Sequence, residues 1–505
     1  MATWTSVHRS GLAALGAVAA ALVVFGAAGP AAAHDSGSPS RAGAKGHWRF
    51  DASATSVSDV ARVVGADRLW KAGVTGAGVG VALVDTGVVP VAGLPADRVV
   101  NGPDLSLDSQ TDEALHLDTY GHGTHLAGII AGIASGATLT SVKVGAYDGA
   151  VDVSQVIAAL DWVVAHRDDD PKHPIRVVNL SYGTDGVQDY RLDPLTHAVE
   201  NAWRAGIVVV VAAGNGGSSA PHLTNPAYDP YVLAVGAADT VGTVGTGDDV
   251  LTDFSSRGDA GRRPDLVAPG RSIVSLRDPD SYIDENNPTA RVGDTLFKGS
   301  GTSQAAAVVS GAVSLLLQAR PSLTPDEVKA ALTRSASRLS VSDPAVGSGE
   351  LDVFRAVHAQ VKNATQAWAR STGTGSLEAA RGGAHLALDD VVLSGENDLF
   401  GPFSTASWAV ASSAGTAWVG GTWMGRELTG SGWSGSSWAS STWSGLHWSG
   451  VSWSGLHWSG LHWSGLHWSG LHWSGVSWSG LHWSGLHWSG LHWSGLHWSD
   501  VSWIG

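Results

Sequence analysis

The sequence predicts an α/β fold, a mostly parallel sheet sandwiched by helices, followed by a C-terminal repeat array. Three observations predict it. Short β-branched apolar runs alternate with longer runs of helical spacing through the middle of the chain. The strand-like runs are continuously apolar, the mark of strands buried on both faces. Finally, a Trp falls on every fifth position from Trp433 to Trp503, a beat that suits neither a helix nor a flat strand.

The elements follow in order. VGVALVD (79–85) is a strand, THLAGIIAGIA (124–134) a helix and TLTSVKV (138–144) a strand. VSQVIAALDWVVAHR (153–167) has helical spacing, and RVVNLS (176–181) is a strand. A helix near residues 192–206 leads into the strand IVVVVAAG (207–214), and YVLAVGA (231–237) is a further strand. SQAAAVVSGAVSLLLQAR (303–320) is a long helix. The next helix, 324–336, starts on Thr324 with Glu327 three residues on, the pattern of a capping box. Strands alternating with helices imply a covered parallel sheet, and in such sheets active residues gather at the carboxyl ends of the strands.

Composition narrows the function classes. The chain has 505 residues, 43% of them apolar and only 15% charged, which is core-forming material. The net charge is −15, and no basic run is present, so nucleic acid is excluded as a partner. With no Cys there is no disulfide, no thiolate metal site and no thiol nucleophile. The start reads as a signal peptide over residues 1–33. Arg9 precedes an apolar run from Gly11 to Gly29, and PAAAHDSG offers cleavage after Ala33. No integral membrane span is expected after cleavage, and the location implied is extracellular, with cell-surface association open. Residues 34–65 form a short polar N-terminal segment, 66–358 the main domain, 359–428 a connector and 429–505 the repeat tail.

Four residue types stand at strand or helix ends. Strand 79–85 ends on Asp85. His122 sits between two glycines in DTYGHGTHLAG, at the start of a helix. Strand 207–214 runs into Asn215, and Ser303 opens the long helix after KGSG. These stretches resemble the subtilisin-like serine peptidases (subtilases). The resemblance rests on Val84-Asp85-Thr86-Gly87, on Gly121-His122-Gly123-Thr124-His125, and on Gly301-Thr302-Ser303 followed by Ala305-Ala306. The order Asp, His, Ser is that of the family. VVNLSYG, DFSSRG (253–258), PDLVAPG (264–270) and GSGELDVFRAV (347–357) extend it over residues 66–358.

The resemblance implies a catalytic Asp85, His122 and Ser303 and an oxyanion donor in Asn215. It further implies a substrate-pairing segment at Ser181, Tyr182 and Gly183, and a primary-pocket wall at Ala212, Ala213 and Gly214. The substrate would be a polypeptide, with broad specificity, and no cofactor is required. His125 is expected to be structural. The acidic residues Asp104, Asp108, Asp112 and Asp118 could suggest a structural calcium. No compact ligand spacing supports one, and a solvated acidic loop is the expectation. Two departures stand out. The family's Met-Ala-Ala-Pro-His after the Ser is replaced by Gln304-Ala305-Ala306-Ala307-Val308, which should leave the helix straight. The segment 34–65 is too short for an independent pro-domain core, so folding without one is expected. The alternative function is a catalytically silent scaffold of the same fold that binds through its tail.

In the tail, five residues advance a helix by about 500°, and on a strand odd spacing alternates faces. A turn per repeat, with Gly at the corner, makes a β-solenoid or stacked-turn array the expectation. Trp408, Trp418 and Trp423 already fall in phase with the beat. Cell-wall or glycan contact through residues 429–505 is open. Nine His in the LHW units would charge below about pH 6.5, so association should depend on pH.

Overall fold

The structure is a computed structural model. It describes residues 49–428 except 111–113, 342, 384 and 389–390, together with 442–444, 477–478 and 481–482. The expected signal peptide therefore lies outside the described residues, as does nearly all of the tail.

A short strand β1 (Thr55–Ser56) leads into helices α1 (Val57–Val63) and α2 (Ala66–Trp70). Next come β2 (Gly80–Asp85), β3 (Val99–Asp104), α3 (His122–Ile133), β4 (Thr138–Lys143), α4 (Val153–His166) and β5 (Ile175–Leu180). They are followed by α5 (Pro194–Arg204), β6 (Val208–Ala212), β7 (Leu233–Asp239), β8 (Val250–Leu251) and β9 (Leu266–Pro269). The main sheet has the order β3-β4-β2-β5-β6-β7-β8, with β9 also on β7. Every pairing in it is parallel except β7 with β8, so the sheet is mixed. Central strands β2 and β6 are buried at every residue, as their unbroken apolar runs require.

A smaller sheet is built from β10 (Ile273–Leu276), β11 (Arg291–Val292) and β12 (Leu296–Gly299), with β1 on its edge and helix α6 (Tyr282–Asn286) in the connection. Helix α7 (Thr302–Ala319) runs unbroken for 18 residues behind the main sheet. Among the described residues it alone is long and apolar enough to cross a membrane, yet it is a core helix, almost wholly buried. Helix α8 (Pro325–Ser335) begins with the reciprocal Thr324–Glu327 cap. Helix α9 (Val353–Val357) closes against it.

Two boundaries differ from the sequence expectation. The domain starts before residue 66, because Val60, Ala61 and Val64 of the polar-looking lead-in are fully buried in the main core. The stretch 359–428 is not a connector. It forms helix α10 (Leu377–Arg381), a hairpin of β13 (His385–Leu388) and β14 (Val391–Val392), and helix α11 (Thr405–Ser413). Trp408, Trp418 and Trp423 join the main hydrophobic core. Sparse aromatic residues in a Gly- and Ser-rich stretch read as linker, but each indole removes enough apolar surface from water to anchor its neighbours. Within 429–505, Thr442–Ser444 pairs antiparallel with β13, and residues 477–478 pair with 481–482. The expected stacked array otherwise lies outside the described residues.

Asp161 of α4 is the anchor point for this extension. Its carboxylate accepts from Trp408 Nε1 at 2.7 Å, Trp423 Nε1 at 2.8 Å and Ser412 Oγ at 2.5 Å. Burial pushes its pKa up to about 6, against the lowering effect of those three donors. A carboxyl raised in the folded state favours folding most when protonated. Its contribution is full below the unfolded value near 4 and is lost as pH rises through about 6. Asp161→Asn should therefore flatten the pH 4–6 segment of the stability curve. Asp161→Ala leaves two indole N–H groups without an acceptor and should cost about 2–5 kcal/mol. Thermal melts from pH 4 to 8 check both.

Candidate active site

The carboxyl ends of β2, β5 and β6 converge with the N-termini of α3 and α7. Asp85 is the last residue of β2, His122 the first of α3 and Ser303 the second of α7. Each is 0% exposed. His122 Nδ1 lies 2.8 Å from Asp85 Oδ1. Thr86 N–H donates to the same carboxylate oxygen at 2.8 Å. Ser303 Oγ is buried and makes no hydrogen bond among the described residues. A helix N-terminus carries partial positive charge, so the first turn of α7 favours negative charge developing near Ser303.

Neither α3 nor α7 has a side-chain cap of its own. Both take one from elsewhere, and this locks the site. Asp118 Oδ1 accepts from Gly121 N at 2.7 Å and from Thr86 Oγ1 at 2.7 Å, and its Oδ2 accepts from Thr124 N at 2.7 Å. Thr86 Oγ1 in turn accepts from Gly123 N at 2.9 Å. One carboxylate thus fastens the His-bearing turn to the residue after Asp85. Burial raises the pKa of Asp118. Gly123 allows this approach, since a Cβ there would fall 2.0 Å from Gly87 O. At α7, Asn215 Oδ1 accepts from Thr302 N at 2.8 Å. With its oxygen engaged, the amide presents its Nδ2 end as a donor beside Gly301 and the start of α7. Gly214 N donates to Thr302 Oγ1 at 3.2 Å, which ties the β6 loop to the same turn.

The expected substrate-pairing segment continues from β5. Ser181 Oγ donates to Ser303 O at 3.3 Å and accepts from Asn179 Nδ2 at 3.0 Å. Tyr182 is 1% exposed. Gly183 lies against Thr224, where a Cβ would come within 2.6 Å of Oγ1. Ala212 ends β6 and Ala213 and Gly214 follow it, all three buried, and a Cβ on Gly214 would meet the same Thr224 at 2.7 Å. His125 is buried in the first turn of α3. Desolvation, with the nearby His122 second, lowers its pKa to about 3, which keeps the ring neutral.

The acidic residues do not form a solvated loop. Asp104 is buried and accepts from Ser106 N at 2.9 Å and His116 N at 2.9 Å. Asp108 pairs with Lys143 Nζ at 2.7 Å, and Lys143 is 1% exposed. Asp118 holds α3, as described, and Asp112 lies outside the described residues. These carboxylates are used internally, on N–H groups, hydroxyls and one lysine. Among the described residues no cluster of three or more His, Asp or Glu forms a metal site. The role of Asp118 was missed in the sequence, although its place four residues before His122 was a usable signal. A carboxylate just ahead of a helix start is a capping position. Thr86 and Thr302 carried no signal beyond adjacency to motif residues.

The model of the subtilase family matches residues 76–375, past 358 into the stretch expected as connector. Serine protease AprX of Bacillus subtilis (strain 168) is 39% identical over 303 residues, 57% of this chain and 67% of that one. The extracellular serine proteinase of Thermus sp. (strain Rt41A) is 38% identical over 262 residues, 51% of this chain and 55% of that one. This chain therefore covers little more than half of the Thermus protein. Subtilisin DY of Bacillus licheniformis is 31% identical over 291 residues, which cover 91% of it.

Proposed function

The chain belongs to the subtilase family, and from that premise we propose that it is a secreted serine endopeptidase working through an acyl-enzyme on Ser303. The observation that carries the reading is the buried 2.8 Å contact between Asp85 Oδ1 and His122 Nδ1, at the end of the sheet where Ser303 opens α7.

A serine hydroxyl is a poor nucleophile at neutral pH and needs a base. In this scheme Asp85 holds Nδ1–H of His122, so that Nε2 carries the lone pair. Nε2 takes the Ser303 proton as Oγ attacks the scissile carbonyl, and the imidazolium that forms is stabilised by the Asp85 carboxylate. The proton then passes to the leaving amine, and the C–N bond breaks. Water repeats the sequence on the acyl-enzyme and frees Ser303. Asn215 Nδ2 and Ser303 N–H receive the oxyanion. The substrate chain adds as a strand along Ser181–Gly183, which demands little of its sequence, and Ala212–Gly214 wall the primary pocket. No cofactor enters the scheme. The leader-like run before Ala33 supports export, and the Trp-rich tail is a candidate for surface contact.

Labelling the full chain with a fluorophosphonate probe tests this reading. Wild type should label and Ser303→Ala should not. Well-folded wild type that fails to label would overturn the enzyme reading in favour of a silent scaffold. Asn215→Ala should lower kcat by roughly 10²–10³ with little change in KM, the loss known for the oxyanion-hole Asn of subtilisin itself. Steady-state kinetics on a peptide anilide would show it.

A further inference from the structure

The extension that follows the peptidase motifs docks on both walls of the proposed cleft. Strands β4 and β5 flank β2. Their continuations, residues 144–152 and 181–186, therefore leave the sheet on either side of Asp85. Val144 N is bonded to Asp85 O at 2.8 Å. On the other side, Ser181 touches Ser303, and the chain continues beyond the end of β5. Gly183 and Gly214 press on the same Thr224. This segment thus lies on the side of the proposed primary-pocket wall, the acyl side of a bound peptide.

Three residues beyond Ser181, at most about 10 Å of chain, that wall meets α10. Thr184 Oγ1 donates to Ala380 O at 2.5 Å, and Gly383 N donates to Asp185 Oδ1 at 2.6 Å. A Cβ on Gly186 would fall 2.6 Å from Ala379 O. The opposite wall meets the same segment. Arg381 Nε donates to Asp152 Oδ1 at 2.6 Å, with both side chains 0% exposed. The guanidinium is filled by Gly395 O at 2.7 Å and by Asn397 O. Leu386 and Leu399 pack on Ala146 and Ala150 in a small apolar cluster of their own. Tyr182, in the middle of the pairing segment, lies within the electrostatic reach of both Asp152 and Arg381.

A buried ion pair adds little net stability over an apolar pair of the same volume. What it fixes is geometry, and here it fixes one wall of the cleft to the segment that also holds the other. We propose that residues 377–400, through the positioning residue Arg381, set the spacing of the two cleft walls and so govern recognition of substrate residues three to four positions upstream of the scissile bond. The proposal rests on the peptidase reading. It gives the extension a part in specificity, and Arg381 acts through Asp152 and the loop before it.

The test uses the full chain and a series of peptide anilides that share the residue at the cut and carry one to six acyl-side residues. Wild type is compared with Arg381→Lys and with the double variant Asp152→Asn/Arg381→Met, which removes the pair without leaving a lone buried charge. Wild-type kcat/KM should climb to about the fourth residue and then level off. In the double variant, substrates of three residues or more should lose about tenfold, through KM, as expected when one or two backbone hydrogen bonds of an added strand are lost. The one-residue substrate should stay within about twofold. Arg381→Lys keeps the charge but not the fork to the Gly395 and Asn397 carbonyls, and should fall between. Equal losses at every length, or no loss at any, would overturn the proposal. Failure of wild type to turn over even the shortest anilide would overturn the peptidase reading and this one with it.

Discussion

Replacing Ser303 with Ala should lower kcat by on the order of 10⁶-fold while KM stays near the wild-type value. That magnitude belongs to subtilisin, where removing the serine alone costs about as much as removing the whole triad. The same loss is expected here because, among the described residues, the hydroxyls adjoining Ser303 are engaged in other hydrogen bonds. Thr302 Oγ1 is occupied by Gly214 N, and Ser181 Oγ by Asn179 and Ser303 O. The fold should survive the change. Ser303 Oγ makes no hydrogen bond among the described residues, so its loss orphans no buried partner. A melt within a few degrees of wild type, together with lost turnover of a peptide anilide, would separate chemistry from folding. Retention of more than a few per cent of wild-type kcat would mean that another group carries the reaction.

Asp85→Asn should cost roughly 10⁴ in kcat, the effect of the same exchange in a serine protease triad. The reason lies in the tautomer. Asp85 is fully buried and faces His122 Nδ1, and Thr86 N–H already donates to the same Asp85 oxygen. In the Asn variant the neutral amide no longer stabilises the imidazolium, and its NH₂ can turn into the shared Oδ1 position, displacing the Thr86 N–H, and face Nδ1 as a donor. Nδ1 would then have to accept, and the ring proton would move to Nε2, where it blocks general-base action. KM should change little, because Asp85 does not line the path of the peptide. The loss should be smaller for Asp85→Asn than for Ser303→Ala. If the two were equal, Asp85 would be part of the fold's integrity and not only an orienting group, and the melts would reveal it.

The placement of Asp85, His122 and Ser303 at element ends was legible in the sequence because each sits where backbone geometry forces a short, recognisable pattern. A strand end, a Gly-flanked helix start and a serine at a helix N-terminus leave few options for neighbouring residues. His125 was legible for the same reason, as the next residue on the inner face of that helix turn. What supports those residues was harder to read. Asp118 looked like one acid among four, yet it caps the His helix and binds Thr86. Asp104 and Asp108 looked solvated, yet Asp104 is buried on N–H groups and Ser106, and the half-buried Asp108 is paired with Lys143. A local window shows the charge but not the donor that arrives from another part of the chain.

The extension is likewise held by distant partners. Residues 359–428 are rich in small polar residues, with no periodic stripe to mark a packed element. Their place is decided by partners more than two hundred residues away in sequence. Trp408 and Trp423 meet Asp161, and Arg381 meets Asp152.

The sequence by itself determined the alternation of buried strands and helices, the order of the Asp, His and Ser elements, and the residue types at their ends, because each depends on contacts within a few residues. The long-range contacts decided that Asp118 and Asn215 cap α3 and α7, and that the supposed connector binds the segments following both β4 and β5. These depend on which distant groups the sheet order brings within hydrogen-bond reach, and no local pattern carries that information.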